Sequence, residues 1–207
     1  MFTPTTLARG AAALALLGSL SLTACSSGEP EEDAGESELI TQVTLVLTPT
    51  DGGTPLTITA TASNGEVIDT FSPTQVTLRP GTTYDGRIEL LDTINNIDIT
   101  NEVRGEAEEH LFRYAFEPGT AGTVTITDSE SDYQTRPDQN ENGGDFAVGL
   151  RFRAQVAAGA SGTGAMRATL YHFDDAPKTS STATSDEIDV EVAFPVRFQA
   201  STAAATN

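Results

Sequence analysis

The chain is poor in cysteine and in basic residues. Its 207 residues include one cysteine, Cys25, so no internal disulfide can form and stability must come from a packed core. Lysine and arginine number 11 against 30 acidic residues, and Lys178 is the only lysine. The formal net charge of -19 leaves no basic stripe for phosphate groups, which argues against nucleic acid as a partner. Because acidity is general, no single carboxylate is informative on its own.

Cys25 follows a segment typical of exported proteins. Arg9 precedes an apolar run over residues 11–20, which is too short to span a membrane as a stable helix, and Leu22-Thr23-Ala24-Cys25 follows. A small residue before a cysteine at the end of such a run resembles the lipobox of bacterial lipoprotein signals. The resemblance implies that residues 1–24 are a signal peptide and that Cys25 is the acylated first residue of the mature protein. An ordinary secretory signal with a stray cysteine is the alternative.

Lipidation would determine the location of the protein. Acyl chains on Cys25 would anchor it to a bilayer, since each buried methylene contributes about 0.8 kcal/mol, and would leave no thiol for a nucleophile or a zinc site. Residues 25–38 are polar and acidic, which predicts a disordered tether. Acidic residues just after the cysteine resemble export signals of lipoproteins on the outer face of Bacteroidota outer membranes; a plain solvated spacer is the alternative. We expect anchoring to the outer membrane, on its periplasmic or its external side.

Alternating apolar and polar residues dominate residues 39–199. In the clearest stretch, Ile188 and Val190 share one face with every second residue up to Phe198, and Asp189 and Glu191 share the other face. Glycine-rich turn sequences separate the stretches. About ten such strands, with one short helix near residues 100–111, predict a single all-β domain. We expect a mainly antiparallel, immunoglobulin-like β-sandwich, followed by a flexible tail at residues 200–207.

The predicted helix carries the best candidate site. Glu102, Glu106 and His110 follow one another at intervals of four residues and share one face of a helix. With Glu109, and with His172 if the end of its strand meets the helix, they would form a nitrogen and carboxylate set suited to zinc, manganese or iron. The alternatives are an acidic face paired with arginines and a core histidine satisfied by a backbone carbonyl.

One loop opens like a calcium-binding loop. Asp138, Asn140 and Asn142 occupy the first, third and fifth positions, and Gly143 occupies the sixth. The last ligand position falls on Gly149 instead of a glutamate, and no flanking helices are predicted, which excludes an EF-hand. A partial calcium site and a solvated turn are the two interpretations.

Catalytic motifs are weak. The sequence Gly159-Ala160-Ser161-Gly162-Thr163 lacks the final glycine of the G-x-S-x-G motif and lies between two predicted strands. Asp174 and Asp175 could supply paired carboxylates, but nothing in the sequence marks a cleft around them. The sequence therefore predicts a binding protein and no enzyme.

Several segments carry a further resemblance: Leu39-Ile40-Thr41-x-Val43-Thr44-Leu45, Thr83-Tyr84-x-Gly86-x-Ile88-Glu89-Leu90-Leu91, Ile99-Thr100-x-Glu102 with Glu106-x-x-Glu109-His110-x-Phe112, and Ile188-Asp189-Val190 with Phe194-Pro195-Val196. They are similar to an uncharacterised family of lipoproteins from Bacteroidota and their relatives. The type 1 periplasmic-binding fold sometimes attributed to that family implies a larger α/β protein, which this length and strand pattern do not fit. The resemblance implies a role beside an outer-membrane uptake receptor, in acquiring metal or haem. A structural or adhesive envelope module is the alternative.

Overall fold

The computed structural model describes residues 38–63, 67–133, 144–173 and 178–199. These residues form ten strands and one α-helix in a two-layer β-sandwich, which confirms the predicted all-β architecture. Helix α1 (Ile99–Gly105) lies between the fifth and sixth strands. The strands are β1 (Gln42–Pro49), β2 (Leu56–Ala62), β3 (Ile68–Ser72), β4 (Val76–Leu78), β5 (Thr83–Leu91), β6 (His110–Glu117), β7 (Gly122–Ile126), β8 (Arg151–Val156), β9 (Gly162–His172) and β10 (Glu187–Phe198).

The strands divide into two sheets. One sheet has six strands in the order β3-β2-β1-β5-β8-β7, and the other has four in the order β4-β10-β9-β6. Among the described pairs, only β10 with β4 is parallel. Inward-facing side chains of both sheets form the core, and its largest members include Leu45, Tyr84, Phe112, Phe152 and Phe194. The chain therefore does not have the parallel α/β architecture that the periplasmic-binding label implies.

Helix α1 is shorter than the predicted stretch. It begins at Ile99 and ends at Gly105, because glycine is a poor helix former, and residues 106–109 are turns. His110 then begins β6, whose aromatic residues favour a strand. His110 is therefore a strand residue, although the four-residue spacing had predicted a helical one. Within the described residues, no helix has the length and apolar character needed to cross a membrane.

A bulge interrupts the alternation at the start of β10. Ile188 pairs with Tyr171 and Val190 pairs with Leu170, so Asp189 is an extra residue between two paired ones. Ile188, which the alternation predicts in the core, is 46% exposed. The side chain of Asp189, which the alternation predicts outside, is fully buried. The prediction is wrong for these two residues because a bulge changes which face a side chain takes.

The side chain of the single lysine is buried and links separate segments of the backbone. Nζ of Lys178 donates hydrogen bonds to the carbonyl oxygens of Ala107, His110 and Ala147 at 2.7, 2.9 and 2.9 Å, and it lies 3.0 Å from Oε1 of Glu130. Burial lowers the pKa of Lys178, although Glu130 opposes this effect. The ammonium group thereby joins the turn before β6 to the chain before β8 and holds the backbone of His110 in place.

We expect Lys178→Ala to lower the free energy of unfolding by about 3–5 kcal/mol, because the Glu130 carboxylate would stay buried without the ammonium group. Urea unfolding of the two proteins measures the difference. Arg197→Ala, at an exposed position of β10, is the control and should change stability by less than about 0.5 kcal/mol. Equal losses of unfolding free energy in the two variants would contradict the stabilising role given to Lys178.

Candidate metal centre

Two histidines face each other across neighbouring strands. His110 on β6 pairs with His172 on β9, and their rings stack with centroids 4.5 Å apart. Both side chains are buried, with exposed fractions of 0% and 3%. The structure thus brings together the two histidines that the sequence could join only conditionally.

Two carboxylates complete the group. Oε1 of Glu38, which precedes β1, lies 3.0 Å from Nε2 of His110. Asp189, the bulged residue of β10, places Oδ2 3.5 Å from the same nitrogen and Oδ1 3.4 Å from Nδ1 of His172. One ligand atom from each residue lies within 4.8 Å of all the others. We name Glu38, His110, His172 and Asp189 the His-carboxylate cluster.

Polar atoms of the cluster lack hydrogen-bond partners. Among the described residues, seven buried side-chain nitrogen and oxygen atoms have none, and six of the seven belong to the His-carboxylate cluster. The nitrogen and oxygen atoms are close, but they are not oriented as donor and acceptor. Buried polar atoms in proteins are almost always paired. A concentration of unpaired ones is what a metal-ligand set has, because its lone pairs are directed at an ion and not at one another.

The histidines also have suitable outer contacts. Nδ1 of His110 lies 3.1 Å from the carbonyl oxygen of Glu106, which favours a proton on Nδ1 and leaves Nε2 as the free ligand atom of the neutral ring. Nε2 of His172 lies 4.0 Å from Oε2 of Glu109, whereas its Nδ1 faces Asp189. Metal-binding histidines usually direct their second nitrogen to a backbone carbonyl or a carboxylate. His110 follows this arrangement, whereas Nε2 of His172 is too far from Glu109 for a hydrogen bond.

The cluster is strongly charged when no metal is bound. Burial lowers the pKa of His110, but its contacts with Asp189 and Glu38 outweigh burial and raise that pKa to about 10. Burial raises the pKa of Glu38, yet His110 and His172 bring it below its ordinary value. In the metal-free protein His110 is therefore a cation between two carboxylates at neutral pH. A metal ion would displace the proton on its Nε2, as is usual for histidine ligands.

Only the two histidines of the predicted ligand set belong to the cluster. Glu106 supplies its backbone carbonyl to His110, and Glu109 lies beside His172 as an outer contact. Glu102 remains on α1 and is not a member of the cluster. The helical spacing groups Glu102 and Glu106 with His110, and Glu109 joins them as a residue of the same predicted helix, but the helix ends at Gly105.

Sequence reasoning missed both carboxylates of the cluster. Glu38 stood in the predicted tether, and Asp189 stood on the outward face of a regular strand. Neither position carries a pattern that would have identified it. Four predicted features lie outside the described residues, namely the signal peptide, the lipidation site, the candidate calcium loop and the C-terminal tail: residues 1–24, Cys25, Asp138, Asn140, Asn142 and residues 200–207.

Comparison of the chain with protein-family models, with curated proteins and with solved structures finds no match. A functional assignment therefore has to be argued from the geometry of the cluster.

We expect Asp189→Asn to destabilise the metal-free protein by about 3–5 kcal/mol at neutral pH, because it removes a buried carboxylate that faces both histidines.

The pKa of His110 is raised from 6.5 to about 10 on folding. The stabilisation from its charge is therefore complete below about pH 6.5 and is lost as the pH rises through about 10. Urea unfolding with a chelator, at neutral pH and near pH 10, measures both effects.

Glu89→Gln is the control for this experiment. It removes an exposed ion pair with Arg87 and should cost at most about 1 kcal/mol. If Asp189→Asn lowers the free energy of unfolding by no more than Glu89→Gln does, the predicted pairing of buried charges is wrong.

Proposed function

We propose that this protein is a lipid-anchored envelope module that binds one divalent transition-metal ion in the His-carboxylate cluster. The observation that carries the proposal is the convergence of two imidazoles and two carboxylates, six of whose nitrogen and oxygen atoms are buried without hydrogen-bond partners. The lipobox at Cys25 supports the anchor, and an outer-membrane uptake receptor is the partner that the family resemblance suggests.

The donor set favours zinc. Two nitrogen and two carboxylate ligands suit zinc, and also manganese or iron, better than calcium, which prefers oxygen ligands alone. Ligand atoms about 2.0 Å from a tetrahedral ion lie about 3.3 Å from each other. Three nitrogen–oxygen contacts of the cluster, at 3.0, 3.4 and 3.5 Å, are close to that value, and one ligand atom from each residue lies within 4.8 Å of all the others. To ligate zinc, the more distant ligand atoms would have to move closer together.

The arrangement favours binding over catalysis. Four protein ligands fill a tetrahedral zinc ion and leave no position for a substrate, which is typical of structural zinc sites. The cluster is also enclosed, since Glu38 is its most exposed member at 10%. The protein would then carry or be stabilised by its metal ion instead of using it to activate water.

An envelope module without a metal is the second candidate. It is favoured by the raised pKa of His110, since a ring that is protonated at neutral pH between Glu38 and Asp189 could form a buried ionic network with them. Such networks seldom stabilise more than apolar packing would. The two candidates differ in whether the cluster takes up a metal ion.

We expect the chelator-treated protein to bind one zinc ion per chain, and His110→Ala and His172→Ala each to weaken binding at least about 100-fold, because each removes one direct ligand. Calorimetric titration with zinc, manganese and calcium measures affinity and stoichiometry. We expect calcium to bind most weakly.

Glu102→Gln is the matched control, because Glu102 belongs to the helical ligand set and not to the cluster. It should leave zinc affinity unchanged. If no ion binds more tightly than millimolar, or if the histidine variants bind as the unaltered protein does, the metal-binding proposal is wrong and the ionic network stands.

Zinc should also fix the start of β1 against the second sheet. Glu38 lies on the chain of the six-stranded sheet, whereas its three partners belong to the four-stranded sheet. We expect hydrogen exchange at residues 39–41 to slow in zinc-loaded protein, and Glu38→Gln to remove most of this protection. Exchange in β8, which contributes no ligand, is the internal reference and should change less. Equal slowing throughout the sandwich would contradict a local clamp.

A further inference from the structure

Five large apolar side chains are exposed among the described residues, with exposed fractions between 41% and 63%: Leu39, Val67, Ile94, Ile97 and Ile188. Single exposed apolar residues are common and need no explanation. These five matter because of where the strands place them.

All five lie at one end of the sandwich. Leu39 follows Glu38, and Ile188 precedes Asp189 in the cluster. Ile94 and Ile97 follow β5, whose last residue Leu91 pairs with the start of β1. Val67 precedes β3, beside the end of β2, which also pairs with the start of β1. We name this the tether end, because Glu38 enters the sandwich there from the segment that follows Cys25.

The turn between β5 and α1 has a buried carboxylate and two exposed isoleucines. The carboxylate of Asp92 is 2% exposed and accepts hydrogen bonds from the backbone amides of Ile94 and Asn95. Backbone bonds between Asp92 and Ile97 close the same turn. The Asp92 carboxylate thus finds its partners within the turn, while the side chains of Ile94 and Ile97 remain exposed. Exposed apolar side chains that share one end of a domain can together form a site of interaction.

We propose that the tether end docks on the surface of the lipid bilayer that holds Cys25. The inference deepens the proposed function and rests on its anchor, although it does not depend on the metal ion. Thirteen residue steps separate Cys25 from Glu38, which limits their separation to about 45 Å. The tether thus keeps the apolar end at a high local concentration near the bilayer, so a weak contact suffices.

The acidic charge of the chain favours contact with a zwitterionic lipid surface over an anionic one. The net charge of -19 opposes contact with anionic headgroups, and the surrounding chain offers few basic residues to offset it. Apolar side chains reaching between zwitterionic headgroups meet no such opposition. A zwitterionic surface such as phosphatidylcholine is therefore the appropriate probe.

The test uses the full, lipidated chain in phosphatidylcholine vesicles. Acylation of Cys25 leaves an introduced cysteine as the only thiol, so Ile94→Cys at the tether end and Ser161→Cys at the opposite end can each carry an environment-sensitive fluorophore. We expect spin-labelled lipids to quench most of the fluorescence at position 94 and little at position 161. Val67→Asp in the Ile94→Cys protein should restore the fluorescence, which separates docking from the mere nearness that a short tether imposes.

Each other outcome overturns part of the proposal. Equal quenching at positions 94 and 161, or quenching that Val67→Asp leaves unchanged, contradicts docking and leaves the anchor intact. The fluorescence at position 94 could instead change with protein concentration and not with the lipid quencher. That result would show a contact between copies of the chain and would also contradict docking. Mass spectrometry of the same samples tests the anchor separately, because a Cys25 without acyl groups contradicts that part of the proposed function.

Discussion

Four ionisable side chains share one enclosed space at the edge of the core, and the structure at this end of the sandwich depends on how their charges are balanced. Charged groups are costly to bury unless their partners satisfy them. Here His110 and His172 come from adjacent strands, Asp189 from a bulge, and Glu38 from the chain entering the sandwich. Their arrangement places two carboxylates against two imidazoles, and six of their nitrogen and oxygen atoms are buried without hydrogen-bond partners.

A second buried network supports the first. Lys178 donates to the carbonyl of His110 and pairs with Glu130, while Asp128 accepts hydrogen bonds from the backbone amides of Gly149 and Arg151. These contacts tie the starts of β6 and β8 to the neighbouring segments that contain Lys178, Glu130 and Asp128. They restrict how far His110 can shift, so a metal ion would meet a ligand whose position is set in advance.

The same end of the sandwich combines three features. The chain reaches it from the segment that follows Cys25, it contains the His-carboxylate cluster, and it exposes apolar side chains near Glu38. In the proposed arrangement, metal binding would fix the segment through which the anchor holds the domain. A bilayer contact at Ile94 and Val67 would in turn shield that segment from solvent.

The alternation of apolar and polar residues was sufficient to predict most strands. Each sheet has one face in a common core, so every second side chain of a strand is buried and apolar. The alternation correctly assigned Val43, Leu45 and Leu47 to the core. It failed at Ile188 and Asp189, where a bulge shifts the period, and the helical spacing failed after Gly105, where a strand replaces the helix. A bulge depends on pairing with β9, and no local pattern in the sequence records it.

The sequence by itself therefore determined the fold class and drew attention to His110 and His172, because apolar periodicity and the scarcity of histidine are local and compositional properties. Only the tertiary structure decided which carboxylates accompany them. Glu38 and Asp189 are separated by most of the chain, and they meet because β1 and β10 begin at the same end of two packed sheets. Ligand sets of this kind depend on strand order and register, which arise from packing between distant segments and not from spacing along the chain.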